Sequence, residues 1–102
     1  MSESTIVVGV FEDDRGMQSF LQTLLQSQGY QTEFWPAGAA GLSRLQQQKT
    51  DLVLLDLGLQ DQDGISVLRT LRTFSQVPVI VISARQQELD KVTALDQGAN
   101  DY

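Results

Sequence analysis

Apolar residues occur along this chain in two rhythms, short unbroken runs and helix-spaced repeats, and the two alternate. Ile6-Val7-Val8-Gly9-Val10-Phe11 is a continuous apolar run, the pattern of a strand buried on both faces. Met17, Phe20, Leu21, Leu24 and Leu25 then recur at helical spacing, with Gly29 as the stop. Thr32 to Trp35 reads as a short second strand closed by Pro36. Leu42 and Leu45 mark a weaker helix rich in alanine and glutamine. Leu52-Val53-Leu54-Leu55 is a third apolar strand, and Gly64 opens a helix carrying Ile65, Leu68 and Leu71. Val79-Ile80-Val81-Ile82, entered through Pro78, is a fourth strand. Leu89, Val92 and Leu95 share one face of a fourth helix ended by Gly98, and Asn100-Asp101-Tyr102 reads as the start of a fifth strand.

Strand and helix alternate four times before that last strand begins. This pitch predicts an α/β fold, a doubly wound parallel sheet with helices on both faces and right-handed crossovers. A chain of 102 residues makes one domain. Its hydrophobic content of 41% is too high for a disordered chain. The separated runs are too short to span a membrane. MSESTIVVGV carries no basic n-region, so no secretory signal is read, and the expected location is the cytoplasm. The net charge of −6 repels phosphate backbones, so the domain itself is not expected to bind nucleic acid. Cysteine is absent, which removes disulfides and thiolate metal sites; histidine is absent too, which removes the commonest general base and metal ligand. Chemistry here must run on carboxylates, hydroxyls and a few amines.

In such folds ligands bind beyond the carboxyl ends of the strands. Glu12, Asp13 and Asp14 follow the first strand, Asp56 ends the third, and Ser83 follows the fourth. Parallel strands bring all of them to one edge of the sheet. Asp13 or Asp14 is also a good N-cap for the first helix, and Ser83 for the helix after it. Asp56 is harder to read that way, because Asp61 and Asp63 are better placed to cap the third helix. A carboxylate at the end of a central buried strand is costly unless paired or metal-bound. Two unit charges ~4 Å apart repel by about 4 kcal/mol at an effective dielectric of 20, so clustered carboxylates call for a cation or a shared proton. All-oxygen ligands point to Mg²⁺, with Mn²⁺ as a substitute. A carboxylate can also act as a nucleophile and form an acyl phosphate.

The stretches VVGVFEDD, DLVLLDLGLQDQDG, VPVIVISAR and ALDQGANDY carry a resemblance. In order and spacing they resemble the receiver domains of two-component response regulators, from about Thr5 to Tyr102. The likeness is strongest to the winged-helix transcription-factor branch (OmpR/PhoB-like), and LDLGL…DG with VISAR is similar to the KdpE-type regulators. The resemblance implies a flavodoxin-like five-stranded sheet in the order 2-1-3-4-5. It implies that Glu12 and Asp13 hold Mg²⁺, and that Asp56 is both metal ligand and phosphoacceptor. It further implies that the Gly58 backbone carbonyl completes the metal site, that Ser83 bonds a phosphoryl oxygen, and that Tyr102 is the aromatic switch. The implied partner is a sensor histidine kinase, with DNA reached only through an output domain outside this chain. Such a protein is a phosphoacceptor rather than an enzyme in the usual sense.

Two departures from the family pattern stand out. Gln60 occupies a position where the family usually has proline, which should loosen the loop after Asp56. The chain also stops before the family's lysine and last helix. Residues 1–102 are therefore expected to form a C-terminally incomplete receiver domain, with strand 5 truncated and helix 5 absent. The open sheet edge then invites self-association. Other readings are a receiver-like interaction module that works without phosphorylation, a phosphatase with an aspartate nucleophile, and a dinucleotide-binding fold. Gly58 stands where such a phosphatase needs a second aspartate, and no G-x-G-x-x-G follows the first strand.

Overall fold

The apolar runs form strands because both of their faces are covered, and the helix-spaced segments supply the cover. The computed structural model describes residues 5–82 and 88–101. Its elements are β1 (Val7–Phe11), α1 (Arg15–Ser27), β2 (Gln31–Trp35), α2 (Gly38–Gln47), β3 (Leu52–Leu55), α3 (Gly64–Leu71), β4 (Val79–Val81) and α4 (Glu88–Asp96). The four strands are parallel and lie in the order β2-β1-β3-β4. This matches the expected doubly wound order as far as the fourth strand.

The two faces of the sheet are covered unequally. Phe11, Leu55, Leu57, Leu68, Leu71 and Val79 are buried in the larger core, on the side of α2, α3 and α4. Val8, Val10 and Leu54 meet Leu21 of α1 on the other side. The helical repeat in α1 is real, but only Leu21 is buried and Leu25 partly so. Met17 and Leu24 are exposed, and Phe20 is 61% exposed. The expected face of α4 fares the same way: Val92 and Leu95 are exposed, and Ala94 makes the buried contact. Periodicity located these helices without fixing how much of each apolar stripe is covered. No helix among the described residues is long and apolar enough to cross a membrane.

Among the described residues the fifth strand is a single parallel bridge between Ile80 and Asp101. That stub nevertheless closes much of the β4 edge. Val79 N donates to Asn100 Oδ1 at 2.8 Å, Val81 N donates to the Asp101 carbonyl at 3.0 Å, and Asn100 N donates to the Val79 carbonyl at 2.8 Å. The edge expected to lie open for self-association is thus partly satisfied from within the chain. Arg72 holds this turn in place. Its guanidinium, at the end of α3, donates to the carbonyls of Gly98, Ser75 and Val77 and to Asn100 Oδ1.

Candidate functional site

The strand register builds the site. Phe11 lies beside Leu55 across the β1–β3 pair, so the next residues, Glu12 and Asp56, leave the sheet side by side. A neighbouring strand's carbonyl holds each of them. Asp56 N donates to the Phe11 carbonyl at 3.0 Å, and Glu12 N donates to the Trp35 carbonyl at 3.0 Å. The next turn separates two adjacent aspartates by role. Asp14 caps α1, accepting from Met17 N at 2.8 Å. Asp13 is thereby left to the site, which decides between the two capping candidates.

Carboxylate oxygens of Glu12, Asp13 and Asp56 all lie within 4.8 Å of one another. Glu12 is buried, at 4% exposure, while Asp13 and Asp56 are half-buried. The costly buried carboxylate is therefore Glu12 rather than Asp56. Burial pushes the Glu12 carboxyl up to about 7. A hydrogen bond to Asp56 and the charges of Asp56 and Asp13 add to the rise, against a lowering bond from the Asp14 amide. Asp13 Oδ2 is buried and has no hydrogen-bond partner. A buried acceptor left without a donor costs free energy, and a cation would relieve that cost together with the mutual repulsion. The donor set is entirely oxygen, which suits a hard divalent cation.

The loop after β3 shapes the rest of the site. Asp56 Oδ1 accepts from Gly58 N at 3.0 Å. Gly58 is exposed, and a Cβ there would come no nearer than 3.6 Å to Asp56 Oδ1, so its side-chain identity matters little. Asp63 caps α3, accepting from Ile65 N, but Asp61 does not share that task. It bonds the first turn of α2 instead. Leu59 is buried in the core, so the loop is held on both sides of exposed Gln60 despite the missing proline. Ser83 and Tyr102 lie outside the described residues. Sequence reasoning missed two supports of Glu12, the Trp35 carbonyl and the Gln18 side chain, which donates to the Glu12 carbonyl at 2.5 Å. Both bonds end on main-chain oxygens, and residue type carries no signal for such a bond.

Comparison with known proteins agrees with this geometry. The response regulator receiver domain family matches residues 8–102. KdpE of Escherichia coli strain K12, the KDP operon transcriptional regulatory protein, is 46% identical over 93 residues, covering 91% of this chain and 41% of that protein. The chain thus spans about two fifths of that relative's length. Among solved structures, the receiver domain of TorR, the TMAO respiratory system response regulator, aligns with a TM-score of 0.87 at 33% identity, over 95% of this chain and 81% of that one. The Mn²⁺-bound form of the response regulator Rcp1 aligns with a TM-score of 0.86 at 26% identity, over 95% of this chain and 78% of that one. With that match over nearly its whole length, the chain belongs to the response regulator receiver domains.

Proposed function

We propose that this domain accepts a phosphoryl group on Asp56 from a sensor histidine kinase, with Mg²⁺ held by Glu12, Asp13 and Asp56. The observation that carries this reading is the acid cluster, with Asp13 Oδ2 buried and unpartnered inside it. A bound divalent cation would neutralise phosphoryl oxygens during transfer. Mn²⁺ fits the same oxygen set, and the Mn²⁺-bound Rcp1 structure supports that substitution.

Asp56 acts as the nucleophile. One carboxylate oxygen bonds to phosphorus while the bond from phosphorus to the kinase histidine nitrogen breaks, and the electron pair stays on the imidazole. The product is an acyl phosphate on Asp56, later lost to water. Glu12 must give up its raised-pKa proton before cation and phosphoryl group are both held. The Gly58 amide already donates to Asp56 Oδ1 and so fixes one oxygen of the nucleophile. Ser83 and Tyr102 complete the reading as the phosphoryl-bonding hydroxyl and the aromatic switch, and Gly58 offers its carbonyl to the metal. The output is transcriptional, through a DNA-binding region outside these residues, a reading that the name of the KdpE relative, a transcriptional regulatory protein, supports; the setting is cytoplasmic. The assembled acids count against a module that signals without phosphorylation.

Incubation with Mg²⁺ and a small phosphodonor, read by intact mass, tests this function. The expected product is a base-labile phosphoryl adduct, absent without Mg²⁺ and absent in Asp56→Asn. An adduct that persists in Asp56→Asn would overturn the assignment.

A further inference from the structure

The loop joining β3 to α3 carries Asp56 at its start, yet its middle is fastened to a different helix. The residue before α2, Ala37, has no side chain that can cap the helix's open amides. Asp61 does so from 22 and 23 residues away in sequence. Its Oδ1 accepts from Gly38 N at 2.8 Å and its Oδ2 from Ala39 N at 3.2 Å. These bonds, that from Gly38 foremost, hold the Asp61 carboxyl below its usual value. A steric observation points the same way. A Cβ at Gly38 would lie 2.7 Å from Val67 Cγ2 and 2.9 Å from Gln62 Cγ, so the first turn of α2 is seated directly against this loop and α3. At the near end, Leu57 and Leu59 are buried in the core, and Gly58 N donates to Asp56 Oδ1 between them.

We propose that Asp61 is a positioning residue for the acid cluster: by clamping the β3–α3 loop to the first turn of α2, it fixes the Gly58 amide and, through it, the orientation of the Asp56 carboxylate. The inference rests on the reading of Asp56 as phosphoacceptor. It assigns α2 a part in the site, although no α2 side chain belongs to the cluster. A released loop lets Gly58 and Asp56 leave the geometry that receives the cation, so affinity falls even where the fold survives. An asparagine at position 61 keeps one acceptor oxygen and should restore much of the clamp.

The test compares wild type with Asp61→Ala, Asp61→Asn and Arg44→Ala. Arg44 is an exposed α2 residue that ties the same helix to Glu33 on β2, away from the cluster, so it serves as a stability control. Calorimetric titration gives the Mg²⁺ dissociation constant, intact mass gives the rate of adduct formation, and urea melts give stability. In Asp61→Ala, Mg²⁺ binding is expected to weaken about tenfold, the scale of losing a group that orients a metal ligand, with a parallel slowing of the adduct. Asp61→Asn should recover most of both, and Arg44→Ala should change neither beyond what its own melt explains. Asp61→Ala binding Mg²⁺ as tightly as Arg44→Ala would overturn the clamp and leave Asp61 a helix cap alone. A wild type that forms no Mg²⁺-dependent adduct would instead overturn the receiver chemistry, and the clamp's role with it.

Discussion

Glu12 and Trp35 are joined through the main chain: the Glu12 amide donates to the Trp35 carbonyl at 3.0 Å, so the buried acid of the cluster hangs from the end of β2. The Trp35 indole, 3% exposed, meets the Phe11 ring edge-on with centroids 5.0 Å apart, and its Nε1 donates to Glu33. The chain has no other tryptophan. A change at Glu12 is therefore coupled through one main-chain bond to the strand end that carries the sole indole.

Emission from Trp35 should accordingly report cation binding. Titration with Mg²⁺ should change its intensity with the same midpoint as the rise in melting temperature, since a ligand bound only to the folded state stabilises it. Asp56→Asn should move both midpoints up by about tenfold or more. A fluorescence change with no matching thermal shift would mean that the ion binds elsewhere.

The raised pKa of Glu12 makes stability depend on pH in a defined window. Unfolded, the carboxyl loses its proton near 4.5; folded, near 7. Between those values the folded state holds the extra proton, so metal-free stability falls as pH rises, by at most about 3.5 kcal/mol over the window. Mg²⁺ needs the ionised carboxylate, so its affinity should climb as pH rises toward 7, by up to about tenfold per pH unit when one proton is displaced. Urea melts from pH 4.5 to 8, with and without Mg²⁺, measure both slopes.

Gly41 lies where α2 crosses the aromatic pair. A Cβ there would sit 2.2 Å from Phe11 Cε1 and 2.8 Å from Trp35 Cε3. Gly41→Ala should therefore destabilise, by about 1–3 kcal/mol of overpacking, even though alanine favours helix. Gly16→Ala is the contrasting change. Gly16 is exposed on α1, and the nearest atom to a Cβ would be Asp14 Oδ2 at 3.3 Å, the oxygen that caps Met17 N. Helix propensity favours that variant and crowding of the cap opposes it, so its stability should stay within about 0.5 kcal/mol of wild type. Thermal melts distinguish the two.

Arg72 satisfies three carbonyls and the Asn100 side chain from one partly buried guanidinium. Arg72→Ala should cost about 2–3 kcal/mol, because it leaves several of these acceptors without donors. Arg72→Lys should recover only part of that, since an ammonium cannot reproduce the fork. Amide exchange at Val79, which donates to Asn100 Oδ1, should accelerate in Arg72→Ala well beyond the global change.

Much of the architecture was legible because strand burial is written directly into sequence. Val53, Leu54 and Leu55 are all buried, so an unbroken apolar run marks a central strand, and right-handed crossovers then leave little choice of order. The acids at the strand ends were legible for the same reason, as parallel strands share one carboxyl edge. Which acid bears the burial was not. Asp56 follows the most apolar strand, yet Glu12 is the more buried, because burial beyond a strand end depends on what packs over the turn.

What the sequence determined by itself is the set of elements, their succession along the chain, and the gathering of Glu12, Asp13 and Asp56 at one edge, since each follows from periodicity and local chain direction, while the order 2-1-3-4 came with the family resemblance. Only the tertiary structure decided that Asp14 rather than Asp13 caps α1, that Asp61 caps α2 rather than α3, and that Phe20 and Leu24 stay largely exposed. A hydrogen-bond partner or a covering surface far along the chain is a matter of distance in space, and the spacing of residue types carries no measure of it.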